Sequence, residues 1–197
     1  MSQKPQYNRR SIIKKSLLYG AGLLLGRIIG LPVFAQAKLL EDSAYLNLEM
    51  TLGQPAGGRI EKPYVAVWLE DEKGNHVKTI SLWVNKAELE RTRWVDDLRR
   101  WFKINETRKS NKQDNLVTTV SSPTRPAGKY NLTWNCHNES KETIAAGTYT
   151  LLIESAREHG QYKLIRETVT FGAEGFTKIL KGDMNVQDVK LDYHPRK

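Results

Sequence analysis

The side chains able to ligate a metal or attack as a nucleophile are few: one cysteine, Cys136, and four histidines, His76, His137, His159 and His194. Cys136 and His137 are adjacent, and neighbours on an extended chain point to opposite sides, so they make poor joint ligands. No C-x-x-C or H-x-x-x-H spacing supplies a second pair, and no metal site is expected. Arg157-Glu158-His159 places a cation, a carboxylate and an imidazole in succession. Glu158 orienting His159 would make a small polar site, the alternative that points to a periplasmic enzyme. The plainer reading is a solvated strand end before Gly160. The sequence has no Gly-x-Ser-x-Gly elbow and no phosphate-binding glycine loop, so no catalytic residue is assigned and a non-enzyme is expected.

Those groups must be positioned by strands. Leu46, Leu48, Met50 and Leu52 alternate with Tyr45, Asn47, Glu49 and Thr51, the period of a half-buried strand. Gly53 to Gly58 reads as a loop. Residues 64–69 are apolar on both faces, which predicts a central strand covered on both sides. A turn over residues 70–75 leads to a hairpin partner from Val77 to Val84. From about Lys86 to Phe102 there is no glycine or proline, and Trp94, Leu98 and Trp101 recur at i, i+4 and i+7, the spacing of one helix face. The polar run from Lys103 to Gln113 predicts a mobile loop, part of a loop or insertion over 103–123. Tyr130, Leu132 and Trp134 alternate again, followed by a polar turn and three further apolar runs, 148–153, 162–171 and 186–193. Six to eight strands and one amphipathic helix (about 86–102) predict a mainly β, immunoglobulin-like β-sandwich occupying 38–197 as one domain. Trp68, Trp83, Trp94, Trp101 and Trp134 read as core, with a ligand cleft as the alternative.

Residues 1–37 read differently. Arg9 and Arg10 precede Ser11-Ile12-Ile13-Lys14, an apolar run extends from Leu17 to Phe34, and Ala35-Gln36-Ala37 closes it. These are the parts of a twin-arginine signal peptide, with cleavage after the small residues Ala35 and Ala37. The expected partners are the twin-arginine translocase and signal peptidase, and the expected location is the periplasm. The leader carries six of the chain's 31 basic residues and none of its 22 acidic ones, so the net charge falls from +9 to +3 once it is removed. That leaves no polyanion footprint, and neither nucleic-acid binding nor a membrane-embedded mature domain is expected. With a single cysteine there is no internal disulfide, and packing alone must hold the fold.

Two stretches carry family resemblances. Gly128–Trp134, a polar turn and Ala145–Leu151 resemble the hairpin of the immunoglobulin-like domain in the flagellar hook-capping protein. Together with Pro63–Trp68, Trp94–Trp101 and Ser155–Gly160, the mature chain resembles domain of unknown function 2271, a family of predicted periplasmic proteins. The resemblance implies an accessory or binding protein serving a membrane redox system of flavin or iron type, with a membrane PepSY-type reductase as partner. It also implies a possible cofactor. Many relatives carry a segment like Asp-x-x-Ser-Gly-Ala-Thr, whose last threonine takes FMN through a phosphoester. The matching stretch here is Thr118–Thr124. Ser121 and Thr124 are kept, while Thr118, Ser122 and Pro123 replace the acid, the glycine and the alanine. Ser122 resists conformations open to glycine, and Pro123 fixes φ and lacks an N–H. A solvated connection without cofactor is the expected reading, and FMN on Thr124 is the alternative.

Overall fold

The computed structural model of the chain describes residues 38–54, 61–84, 95–158 and 160–195. The expected leader, with Arg9, Arg10, Ala35 and Ala37, lies outside these residues, as do 55–60, 85–94 and His159. Nine strands are present among them: β1 (Tyr45–Leu52), β2 (Tyr64–Glu70), β3 (His76–Trp83), β4 (Ser121–Ser122), β5 (Gly128–Trp134), β6 (Gly147–Ala156), β7 (Tyr162–Phe171), β8 (Phe176–Lys181) and β9 (Val186–His194). They form a four-stranded sheet, β5-β1-β9-β8, and a five-stranded sheet, β4-β3-β2-β6-β7. The chain crosses between sheets after β1, β4, β5 and β7, which builds the expected sandwich.

The alternation in β1 points Leu46, Leu48, Met50 and Leu52 into the layer between the sheets, where Leu48 stands opposite Leu132 of β5 and Leu191 of β9. Val65, Val67 and Leu69 of β2 and Leu151 and Ile153 of β6 meet them from the other sheet. Full burial of each such side chain contributes about 1.5–3 kcal/mol. The other face of the five-stranded sheet carries a second apolar layer, in which Ala66, Trp68, Leu82 and Leu152 pack under helical segments. Every residue of β2 is therefore buried, as its two-faced apolar sequence predicts.

The helical layer departs from its expected bounds. A 3-10 turn over Val95–Asp97 leads into α1 (Arg99–Ser110), and a short α2 (Leu116–Val120) follows. Leu98 and Trp101 are fully buried in the outer layer, as their spacing predicts, while Trp94 lies outside the described residues. Lys103–Ser110, expected to be a mobile loop, is helix, and 116–122 is a helical turn and a strand. The charges that suggest a loop are the solvated face of α1, and Asn105 faces inward to accept the Leu116 N–H at 2.8 Å, helping to start α2.

A second correction concerns pairing. The resemblance of Gly128–Trp134 and Ala145–Leu151 to a hairpin implies that these stretches pair, yet β5 pairs with β1 and β6 lies between β2 and β7 in the other sheet. Alternation reports which face of a strand is buried and is silent on its neighbour, so the connection is a corner between sheets. Strand β8 has no strong apolar signal because it is an edge strand, with Ile179 exposed.

Candidate functional site

The outer layer is where buried polar groups collect. Glu70 ends β2 two residues after Trp68, on the same face, and accepts the indole N–H of Trp68 at 2.9 Å. Arg100 of α1 donates to both oxygens of Glu70, from Nε at 3.2 Å and from Nη2 at 2.6 Å. This two-pronged bond holds the Arg100 guanidinium above its ordinary range. Glu154 of β6 is fully buried and accepts the backbone N–H groups of Arg100 (2.9 Å) and Trp101 (2.8 Å). It therefore satisfies the open N-terminus of α1, a position for which a carboxylate is suited by hydrogen bonding and by the helix dipole. The phenol of Tyr162 donates to the same carboxylate at 2.7 Å. Burial and then that bond push Tyr162 up to about 12.

These contacts fix α1 beside the β2–β3 turn and leave an open cleft of about 550 Å³ between them. Its walls include Glu70, His76, Arg100, Lys103, Thr107 and Arg108. The turn is shaped by Asp71, whose Oδ1 accepts the N–H groups of Lys73 and Asn75, and by Gly74 at φ 80°. His76 forms the floor, its side chain only 7 % exposed. Its Nε2 lies 2.9 Å from Thr79 Oγ1, and Thr79 Oγ1 accepts the indole N–H of Trp101 at 3.1 Å. Burial pushes His76 down to about 4, against the opposing pull of Glu139. Glu139, from the β5–β6 corner, accepts the Thr79 N–H (2.7 Å) and the Lys78 ammonium (2.9 Å).

The stretch bearing Thr124 lies elsewhere. Ser121 and Ser122 pair in parallel with Leu82 and Trp83, and the Val84 N–H donates to the Ser122 carbonyl at 2.9 Å. Beyond them Thr124 is half-buried, and the Arg125 guanidinium sits over the rings of Trp83 (5.1 Å) and Tyr130 (5.3 Å). The Tyr130 phenol donates to the Pro126 carbonyl at 2.8 Å. The segment is thus extended and pinned on both sides of Thr124.

Arg157 is buried and donates to Asn185 Oδ1 (2.6 Å), the Gly53 carbonyl (2.8 Å) and the Glu61 carbonyl. Its guanidinium fastens three connections together, and burial lowers it despite the nearby Asp183. Glu158 is half-buried, and His159 lies outside the described residues. Arg157 shares a hollow of about 280 Å³ with Pro126 and Ala127, so it borders the end of the Thr124 segment. Cys136 is fully buried at φ 56°, and burial pushes its thiol up to about 12. No group of three or more metal-ligating side chains is found among the described residues, and none of their helices is long and apolar enough to cross a membrane.

Sequence reasoning passed over Glu70, Thr79, Arg100, Arg108 and Glu154, and placed His76 only among scattered histidines. One signal was available. Glu154 interrupts the apolar run Leu151-Leu152-Ile153, and a carboxylate in such a run needs a partner.

A family model described as "Predicted periplasmic protein (DUF2271)" matches residues 45–188. No curated protein and no solved structure matches the chain.

Proposed function

The chain belongs to the DUF2271 family and is a periplasmic protein; from that premise we propose that it is a non-enzymatic accessory or binding protein whose working surface is the cleft between α1 and the β2–β3 turn. The observation that carries this reading is the way the cleft is held. Arg100 is locked on Glu70, the start of α1 on Glu154, and His76 on Thr79, so the walls are set before anything binds. Preorganised walls reduce the ordering cost of association. We take its partner to be a membrane redox system with a PepSY-type reductase, a reading supported by the sequence resemblance alone. A photo-crosslinking residue at Thr107, on the cleft, is expected to capture a periplasmic ligand or that reductase in the native host. The same residue at Ile179, on β8 of the other sheet, is the control. Equal labelling from both positions would remove the cleft as the working surface.

A second reading, FMN on Thr124, is favoured by one observation: Thr124 is partly accessible in an extended segment, next to the cation Arg125. It predicts a mature mass heavier by one FMN and a yellow protein when the chain is coexpressed with the flavin transferase. Thr124→Val should abolish both. A colourless protein of unmodified mass under those conditions excludes it.

A further inference from the structure

We propose that the cleft between α1 and the β2–β3 turn is a binding site for a phosphate-type oxyanion, seated by His76 Nδ1–H and Arg108 Nε–H. This rests on the cleft being the working surface and names the ligand it takes. Both nitrogens are buried and neither has a hydrogen-bond partner, although both residues line the cleft. A buried polar atom without a partner costs about 1–3 kcal/mol, so two in one cleft ask for a ligand that supplies acceptors.

The hydrogen-bond chain decides what His76 offers. The indole of Trp101 can only donate, so Thr79 Oγ1 receives that proton. Giving the hydroxyl proton of Thr79 to its other neighbour, His76 Nε2, uses both its donor and its acceptor capacity, and this is the arrangement we assign. Glu139 does not compete for this nitrogen, since its Oε1 is 3.8 Å away and already accepts the Thr79 N–H. With Nε2 accepting, the neutral ring carries its proton on Nδ1, and the unpartnered atom is a donor. Arg108 Nε is a donor by chemistry. Two donors without acceptors, one of them cationic, match an oxyanion and not a metal ion, which would need lone pairs.

Charge points the same way. Glu70 is taken up by Arg100, and Glu139 by Lys78, so the carboxylates facing the cleft and His76 are neutralised. Lys103 and Arg108 have no ion pair with a described residue, leaving about two positive charges for a dianion. His76 is pushed down to about 4, so it donates as a neutral group at periplasmic pH and does not depend on protonation.

Long-range ¹H–¹⁵N spectra of the imidazoles, recorded with inorganic phosphate and separately with glycerol 3-phosphate, test this directly. The ligand-free protein should show His76 protonated at Nδ1, and millimolar ligand should shift that resonance. Tighter binding of the ester would identify an organic phosphate as the natural source; tighter binding of inorganic phosphate would identify the free ion. Arg108→Gln should weaken binding at least tenfold, and Lys109→Gln, on the same helix and paired with Glu106, should change it less than twofold. A proton on Nε2, or an unmoved His76 resonance with both probes, overturns the proposal even if Arg108→Gln fails to fold. If Thr107 still captures a partner in that case, the oxyanion is excluded and the accessory reading stands. If it captures nothing either, both fall.

Discussion

The two faces of the five-stranded sheet solve different problems. The face toward the four-stranded sheet is filled with aliphatic and aromatic side chains, among them Leu48, Leu69, Ile153, Phe171 and Leu191. The face under α1 mixes Trp68, Leu152 and Trp101 with Glu70, Thr79 and Glu154, all buried. An apolar layer holds by area and tolerates no hole, whereas a layer with buried carboxylates holds by partners and fixes geometry. The difference teaches where to look for function: the inner face makes the sandwich, and the outer face positions a helix and the cleft beside it.

Substitutions can break that division. Leu48→Ala, in the inner layer, should cost about 2–5 kcal/mol in chemical denaturation and lower amide-exchange protection throughout the sandwich. Acid should act chiefly on the outer face. Because His76 is held near 4 against an ordinary value near 6.5, the unfolded chain takes its proton first as pH falls. The contribution is fully present above pH 6.5, is lost between 6.5 and 4, and levels off below. The loss is on the order of 3 kcal/mol and should be absent from His76→Gln, so that the difference between the wild-type and variant stability curves isolates it. Glu154→Gln keeps the shape and removes the charge that caps α1. It should cost about 1–3 kcal/mol, with exchange protection falling in α1 and little changed in β1 and β9. Uniform loss across the chain would show that the two faces are not separable. Smallest is Arg125→Gln, which removes the stacking on Trp83 and Tyr130 at the sheet edge and should cost about 0.5–1 kcal/mol in a urea titration.

Much of the inner face was legible. The alternation in β1, the two-faced run in β2 and the turn at Asp71–Asn75 each follow from local rules, and each is where it was expected. The outer face was legible only in part. Leu98 and Trp101 announce a buried helix face, but the start of α1 is set by Glu154, a residue 53 positions away that no local pattern connects to Trp101. Its end was hidden because charge alone does not separate a loop from the wet side of a helix. The cleft was illegible for the same reason. His76 is seated on Thr79, which in turn accepts an indole N–H arriving from α1, so the sequence around His76 shows an ordinary strand residue. At the Thr124 segment no local pattern showed the edge pairing of Ser121 and Ser122 with β3.

The fully buried Cys136 has a consequence for handling and for life in an oxidising compartment. Disulfide exchange proceeds through the thiolate, and a thiol near 12 has roughly one molecule in 100,000 in that form at neutral pH. The folded protein should therefore neither crosslink to a second copy nor enter the exchange chemistry of its neighbours. Thiol reagents meet this sulfur only when the sandwich opens, so the rate at which Cys136 is labelled reads out how often it does.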